Sequence, residues 1–487
     1  MGKRKLLILA AICTLLSGIF AETVTETVSL PDTTQLLLSY IENDSDLKNL
    51  AIAAKKAQLS YDSTKIDKGF DVTLASGNVT IKLNEDGSTI SAKPSVKAKL
   101  PQASNLSAEV TTSVNSTQDD TKISDTSVSL GVDIISTSNL SNKVSLLKAE
   151  RSVIEAERKL GKSVLAAEKE FYTQLKQLLS SISSIMSAKE QLYSNRIDFE
   201  SVKVQGYSKS SSTYRKAELK VITSEHDIES SLHSLIHDCV VFYKKCGYDI
   251  QIDENTDLMT LVPSDIEATS PLNILDFDKE NYASIESAKW TYKINSMERS
   301  TNKSYSLSAS AGYTFDNSTT KSDTVDAGLS GTIGGLSLGA GVSMPVGGDS
   351  SYPAITLSMS LTPNTFRKNS ISKKQDALTE EQELLAIETA EAEYETKVVE
   401  TQQKLDSLLW EQKTIEQNIE MYEALEKDMA EMYKQGFTSE SDYLSTKTSL
   451  DSYLIKKVMN QIELIMYNDD VVMNFIPKED NIIQKEE

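Results

Sequence analysis

Three histidines within one predicted helix are the residues of this chain that come nearest to a site for chemistry. His226, His233 and His237 are separated by seven and four residues. His233 and His237 therefore lie one helical turn apart, with Glu229 on the same side, and this combination of ligand types can hold a zinc ion. The alternative is that all three histidines are solvated or interface positions on a long helix. We adopt that alternative and predict no metal site.

No motif in the sequence indicates catalysis. The sequence contains no His-Glu-x-x-His zinc motif, no Gly-x-Ser-x-Gly nucleophile turn and no phosphate-binding loop. Cys239 and Cys246 lie seven residues apart on a helix, which separates them by about 10 Å along the axis, too far for a disulfide. We therefore expect packed thiols, no cofactor and no enzymatic activity.

The same short turn occurs twice in the chain. Gln205-Gly206-Tyr207-Ser208 and Gln435-Gly436-Phe437-Thr438 lie 230 residues apart (436 − 206). Glycine accepts positive φ at the end of a first helix, and a following hydroxyl can cap the N–H groups of the next helix. The repeated turn predicts that the chain consists of two internal structural repeats.

Residues 1–21 are predicted to be a secretory signal peptide. Three basic residues precede an apolar run and a plausible small-residue cleavage site at Ala21. A lipoprotein signal is disfavoured because Ile12 precedes Cys13. No other apolar stretch reaches the ~18–20 residues of a spanning helix, so a membrane-embedded mature chain would span as β-strands.

Both repeats share one order of elements: a helix, a group of strands, a long helix, the turn and a closing helix. The predicted first repeat covers residues 22–250, with β-strands at about 70–136, a long helix at 139–204, the turn at 205–208 and a helix at 209–246. A linker at 251–274 precedes the second repeat at 275–475, with a helix at 278–299, β-strands at 304–362, a long helix at 364–434, the turn at 435–438 and a helix at 439–475. Residues 476–487 are predicted to be an acidic disordered tail.

The predicted strands alternate between apolar and polar residues. Leu106, Ala108 and Val110 face one way, while the intervening residues are polar. This pattern is typical of a transmembrane β-barrel, but a soluble β-sandwich alternates equally well. The signal peptide and the long helices favour the barrel. Because one chain has too few strands to close a wide pore, closure would be oligomeric.

Heptad spacing in the second long helix predicts coiled-coil-like packing. One set of apolar residues recurs every seven positions, and a second set follows after a two-residue slip. The two sets are Leu378, Leu385, Ala392 and Val399, and Leu408, Ile415, Tyr422 and Met429. The slip indicates a helical bundle and not one uninterrupted zipper.

The stretch from Met432 to Leu444 resembles a motif of the TolC-type outer-membrane efflux proteins. It reads Met-Tyr-Lys-Gln-Gly-Phe-Thr-Ser-Glu-Ser-Asp-Tyr-Leu, and the resemblance extends over nearly the entire mature chain. The resemblance implies a mixed α/β membrane channel: a homotrimer with a transmembrane β-barrel continued by a long antiparallel α-helical periplasmic barrel. In that family each protomer contributes four strands to a twelve-stranded barrel.

The resemblance also implies roles for the two turns. The turns would form the periplasmic tips that contact an adaptor protein and an inner-membrane pump, and Tyr433 and Asp442 match a constriction tyrosine and an aperture aspartate. A second aspartate of the pattern is Ser445 here, and a basic residue is Thr438. A double ring of acidic residues is therefore not expected. The turn aromatics Tyr207 and Phe437 replace a common leucine and could fit the hydrophobic tip of the adaptor.

Two segments exceed the strand number that the resemblance implies, namely residues 70–99 and 336–344. They are either extra barrel strands or ornaments at the barrel ends. We favour ornaments for 70–99, because Lys82, Lys93, Lys97 and Lys99 make this segment more charged than its neighbours.

The function implied is a passive conduit of a tripartite efflux or type I secretion system, located in the outer membrane with a large periplasmic part. It would contact outer-membrane lipid and carry exported small molecules or proteins. The formal net charge of −21 argues against nucleic acid as a partner. The alternatives are a secreted structural or adhesive coiled-coil protein, or a TolC-like porin for diffusion or uptake.

Overall fold

The computed structural model describes residues 32–84, 87–101, 104–117, 120–135, 137–251, 262–301, 305–316, 322–347 and 352–477. The predicted signal peptide and residues 478–487 of the predicted tail lie outside them. The described helices are α1 (Thr33–Asn43), α2 (Ser45–Asp67), α3 (Ser138–Val204), α4 (Ser212–Lys245), α5 (Ala283–Thr301), α6 (Pro363–Lys434) and α7 (Glu440–Met473). Short 3-10 turns at Ile274–Asp276 and Lys279–Asn281 precede α5.

Ten described strands form one antiparallel sheet. They are β1 (Asp71–Ala75), β2 (Thr80–Asn84), β3 (Gly87–Ala92), β4 (Ser95–Leu100), β5 (Leu106–Ser116), β6 (Thr121–Ile135), β7 (Tyr305–Phe315), β8 (Asp323–Ile333), β9 (Leu336–Val346) and β10 (Ala354–Leu361). Their order is β1-β4-β5-β6-β7-β8-β9-β10, and the β2–β3 hairpin attaches to one end of β5 through β3.

Local sequence explains where several helices begin. Pro363 is the first residue of α6, a position where proline's missing N–H costs nothing and its fixed φ suits the helix. The helix α1 was not predicted. Its N-cap is Asp32, whose side chain accepts a hydrogen bond from the N–H of Gln35 at 2.7 Å.

One residue of the predicted tail is packed against the rest of the chain. Ile476 is buried and its N–H donates to the carbonyl of Asn281, so this residue is not part of a free tail.

The chain divides into two compact units, and each combines segments from both predicted repeats. The first unit comprises residues 1–54, 156–283 and 392–481. Its hydrophobic core is centred on Phe171, which is fully buried and contacts the rings of Tyr40, Tyr172 and Phe242 at centroid distances of 5.2–5.6 Å. Helices α1, α3, α4 and α7 supply most of this core, and Leu47 and Ala51 of α2 add to it.

The second unit comprises residues 55–155, 284–391 and 482–487, and it contains the whole sheet. Beside the sheet, the start of α3 packs on α5 through a buried ion pair. The guanidinium of Arg151 donates to both carboxylate oxygens of Glu286, and it lies 5.0 Å from the ring centroid of Trp290. On the other side of α5, Arg299 donates to Glu383 of α6 at 2.8 Å. Charge pairing therefore fixes α5 between the two long helices.

Removal of the Arg151 guanidinium should destabilise the second unit strongly. Arg151→Ala leaves a buried carboxylate without its main counter-charge, and we expect a loss of about 3–5 kcal/mol. The double variant Arg151→Met with Glu286→Met is the matched control, because replacing both charges by apolar side chains should recover most of the stability. Thermal unfolding measures both. Equal destabilisation by the single and double variants would contradict the assignment.

Candidate functional site

The strand register places apolar side chains of every strand of the main path on one face of the sheet. One row across eight strands contains Val72, Ala98, Ala108, Leu130, Ala311, Ala327, Val342 and Ile355, each paired with the next. A neighbouring row contains Leu74, Val96, Val110, Val128, Tyr313, Val325 and Met344. Most of these larger side chains are exposed. The chain therefore carries a broad apolar surface that its own described residues leave uncovered.

The opposite face of the same sheet is polar. Its rows contain Ser, Thr, Gly, Lys and acidic residues, such as the row of Ser107, Gly131, Ser310, Gly328, Gly341 and Thr356. Hydroxyl groups on this face also pair between neighbouring strands, as in Ser306 with Thr332 at 2.8 Å. Because side chains alternate with period two, one shared register across all strands is enough to separate the two faces.

Two irregularities in the ladders preserve this separation. The register shifts between Thr112 and Ser113 of β5, and between Asp133 and Ile135 of β6. After each shift an apolar residue again opposes an apolar residue: Val114 opposes Ile123, and Ile135 opposes Leu307. A bulge that skips one residue can restore the phase of the pleat in this way.

The number of strands differs from the four that the family resemblance implied. Strand β9 pairs along its whole length with β8 and from Leu336 to Ser343 with β10, so segment 336–344 is an integral part of the sheet. Segment 70–99 supplies β1 and β4, which extend the sheet beyond β5. Our preference for ornaments in this segment was therefore wrong for β1 and β4.

The lysines that motivated that preference have a structural explanation. Lys97 and Lys99 stand on the polar face of β4, and the amino group of Lys97 lies 3.0 Å from a carboxylate oxygen of Glu109 on β5. Lysines on this face do not interrupt the apolar surface. The lysine content of this segment could not show on which face of the sheet each lysine lies, because it does not determine how the strands pair.

The two repeated turns have the backbone geometry that their glycines predicted. Gly206 and Gly436 have φ values of 75° and 76°. The predicted caps were wrong: α4 is capped by Ser211 and α7 by Ser439, whose side chains accept hydrogen bonds from the N–H groups three residues ahead. Each of these serines lies closer to its helix than the hydroxyl of the repeated motif, and α4 consequently begins at Ser212 and not at 209.

The predicted tip residues lie at the protein surface. Tyr207 and Phe437 are both exposed, and Phe437 is exposed by 74%. Gln205 and Gln435 each donate from the side-chain amide to the side chain four residues earlier, Ser201 and Glu431 respectively. Two large aromatic side chains are therefore exposed to solvent at two turns of similar backbone geometry.

The two predicted gate residues have different environments. The ring of Tyr433 stacks on the ring of Tyr443, with centroids 5.6 Å apart and planes 5° apart. Asp442 accepts a hydrogen bond at 2.6 Å from the hydroxyl of Ser439, whose oxygen in turn accepts from the N–H of Asp442. Ser439 is therefore the N-cap of α7, and the Asp442 carboxylate bonds to the hydroxyl of that cap. Asp442 thus has a local structural role within the chain.

A third tyrosine at this end of the first unit was not identified from the sequence. The hydroxyl of Tyr193 on α3 donates to a carboxylate oxygen of Glu440 on α7 at 2.6 Å. This hydrogen bond raises the pKa of Tyr193 to about 12. Its contribution is therefore complete below the ordinary value of 10.0 and is lost as pH rises through about 12. The two residues lie 247 positions apart, so only the tertiary fold pairs them.

The histidines and cysteines form no reactive centre in the part of the chain that is described. No group of three or more His, Cys, Asp or Glu residues there has a geometry that could hold a metal ion. Cys239 and Cys246 are free and buried, as predicted, and burial raises their thiol pKa values to about 11 and about 12. Among the described helices, none combines the length and apolar character needed to cross a membrane.

The turn glycines should be intolerant of a side chain for conformational reasons alone. An added Cβ at Gly436 would meet no atom within 4 Å, so Gly436→Ala costs only the left-handed backbone, about 1–2 kcal/mol. Gly161→Ala, within α3 and equally free of contacts, is the matched control and should stabilise by up to about 1 kcal/mol. Thermal unfolding monitored by circular dichroism should shift in opposite directions. Shifts of the same sign would contradict this interpretation.

Comparison with solved structures returns a membrane protein and outer-membrane channels. The chain aligns with a membrane protein from Pseudomonas aeruginosa at 13% identity, covering 93% of this chain and 99% of that one, with a TM-score of 0.45. It aligns with the MtrE outer-membrane channel of Neisseria gonorrhoeae at 13% identity over 93% and 95%, with a TM-score of 0.45. For the CmeC outer-membrane channel of Campylobacter jejuni the identity is 12% over 97% and 94%, with a TM-score of 0.43. All three TM-scores are below 0.5.

Sequence comparison identifies a family. An uncharacterised protein of Treponema pallidum is 20% identical over 456 residues, covering 91% of this chain and 81% of that protein. The model of the TP096X N-terminal domain matches residues 36–266, and the model of the TP096X C-terminal domain matches residues 267–478. Because these two models follow each other without a gap and together match most of the chain, the chain belongs to the TP096X family and carries both of its domains.

Proposed function

We propose that this chain is the subunit of a homotrimeric outer-membrane channel, a passive conduit of a tripartite efflux or type I secretion system. The observation that supports this function is the two-faced sheet. Its apolar face would meet outer-membrane lipid, and its polar face would line a water-filled lumen. The chain would cross the membrane with this sheet while its long helices extend into the periplasm.

The uncovered apolar face is the reason to prefer a channel over a secreted adhesive protein. A soluble β-sandwich buries its apolar face against a second sheet or against helices. Here the large side chains of that face remain exposed: Leu130 by 53%, Leu329 by 48% and Leu357 by 77%. Soluble monomers rarely expose a continuous apolar surface across eight strands. Lipid hydrocarbon would cover the apolar side chains of all eight strands at once.

The two exposed turns are the proposed contact surface for a periplasmic adaptor and, through it, an inner-membrane pump. Tyr207 and Phe437 offer apolar rings on turns whose backbone is fixed by a positive-φ glycine. Aromatic residues of this kind contribute large contact area at a small entropic cost. Exported small molecules or proteins would enter the conduit at this end.

We further propose that the second turn belongs to the gate. Tyr433 and Tyr443 stack beside it, and the bond from Tyr193 to Glu440 connects the first turn of α7 to α3. A gate that opens by movement of the second helical hairpin would break this bond. In this proposal Asp442 acts by holding the start of α7, since its carboxylate bonds to Ser439.

A matched pair of arginine variants on β6 tests the proposed membrane sheet. Leu130 is on the apolar face and Ser129 on the polar face. Leu130→Arg should cost about 2–4 kcal/mol in the bilayer and reduce the heat-modifiable, carbonate-resistant protein in outer membranes. Ser129→Arg should insert normally. Equal insertion of both variants, or recovery of the unmodified protein in soluble form, would contradict the proposal.

Loss of the Tyr193 hydroxyl tests the gate. Tyr193→Phe removes the bond to Glu440 and keeps the ring, so single-channel recordings in planar bilayers should show a larger mean conductance or more frequent opening. Tyr352→Phe changes an exposed loop tyrosine and is the control. An unchanged conductance in Tyr193→Phe, with the unmodified channel conducting, would place the gate elsewhere.

A further inference from the structure

The sheet ends at two edges that have no partner strand among the described residues. Strand β1 is one end of the strand order and β10 is the other. Every residue of both strands is exposed. If the sheet lies in a membrane, as proposed above, open edges are not tolerated, because their backbone N–H and C=O groups would face hydrocarbon without partners. Both edges therefore need a complement.

The middle of the chain already contains a junction of the required kind. Strand β6 leads into the long helix α3, β7 follows the short helix α5, and β6 pairs with β7. Alongside this strand pair, α3 packs on α5 through the ion pairs of Lys148 with Glu298 and of Arg151 with Glu286. Strand pairing and helix pairing thus occur together where the first half of the chain meets the second.

The two free edges carry the same elements as this junction. Strand β10 leads into the long helix α6, as β6 leads into α3, and β1 follows the short helix α2, as β7 follows α5. We infer that β10 and α6 of one copy pair with β1 and α2 of a second copy of this chain. Eight antiparallel strands lie on the path from β1 to β10, so β1 and β10 run in opposite directions and the ring closes with antiparallel pairing throughout.

Apolar stripes on the two helices support this pairing. Ile52, Leu59 and Ile66 recur every seven residues on α2 and are exposed by 52%, 68% and 73%. Ile371, Leu378 and Leu385 recur every seven residues on α6 and are exposed by 58%, 62% and 60%. Two heptad stripes of equal length fit each other when the helices run antiparallel.

This pairing fixes the number of strands in the pore. Each copy adds the eight strands of the main path, and the β2–β3 hairpin stays outside the ring because only β3 attaches, at one end of β5. Three copies give 24 strands, twice the twelve of the TolC-type barrel. A barrel widens roughly in proportion to its strand number, so the lumen through the membrane would be about twice as wide.

Cysteine cross-linking in the full-length protein in outer membranes tests the inference. Thr73→Cys on β1 is combined in turn with Thr356→Cys, Ser358→Cys and Ser360→Cys on β10, all on the polar face, so that the register is scanned. Ile66→Cys with Ile371→Cys tests the helices. We expect covalent species of two and three copies from at least one strand pair and from the helix pair. The protein with only its native, buried cysteines should give none.

An internal control separates links within a chain from links between chains. Ser129→Cys with Gly312→Cys, paired across β6 and β7, should link within one chain and migrate as a single copy. If the β1–β10 pairs also migrate as a linked single copy, or remain unlinked while the protein conducts in planar bilayers, the inference is overturned and the proposed channel stands. If the protein neither inserts nor conducts, the proposed function itself fails.

Discussion

One constraint underlies the rest of this structure: every strand of the main sheet must keep the same phase. A shift of one residue in any strand would move its apolar side chains to the polar face. The ladders hold this phase from β1 to β10, and the two register shifts in β5 and β6 restore it where a residue is skipped. The result is a sheet that has no internal core. The described residues leave its apolar face uncovered, and this exposure is the basis of the proposed location in the membrane.

The helices are stabilised differently from the sheet. In the first unit, α1, α3, α4 and α7 bury aromatic and aliphatic side chains around Phe171, so this unit has a conventional core. Polar contacts then set the positions of helix ends, as in the bond from Tyr193 to Glu440 and the caps at Ser211 and Ser439. In the second unit, α5 is held by buried charge pairs, while the outer stripes of α2 and α6 stay exposed.

Much of this organisation could be predicted from the sequence, because it depends on local periodicity. The alternation around Leu106 marks β5, the stretches without glycine or proline after Gly161 and after Pro363 mark most of the long helices, and Gly206 and Gly436 mark turns that do have positive φ. The remainder depends on partners distant in sequence. The side of the sheet on which Lys97 stands follows from its pairing with Glu109, the caps fell on Ser211 and Ser439 because the backbone geometry there favours them, and Tyr193 meets Glu440 only through packing. Nor could heptad spacing show that Leu378 and Leu385 would face outward while Leu408 and Ile415 are buried.

The central claim is that one face of this sheet meets lipid and the other meets water, and accessibility along β6 measures it most directly. Single cysteines are introduced from Ser127 to Val132 and tested in the membrane-embedded protein. In one measurement each cysteine carries a fluorophore, and quenchers dissolved in the lipid phase are added. In the other, each free cysteine is exposed to a water-soluble thiol reagent. Positions 128, 130 and 132 should be quenched by lipid and protected from the reagent, and positions 127, 129 and 131 should show the reverse, in strict alternation. Uniform accessibility to the water-soluble reagent at all six positions would contradict the account.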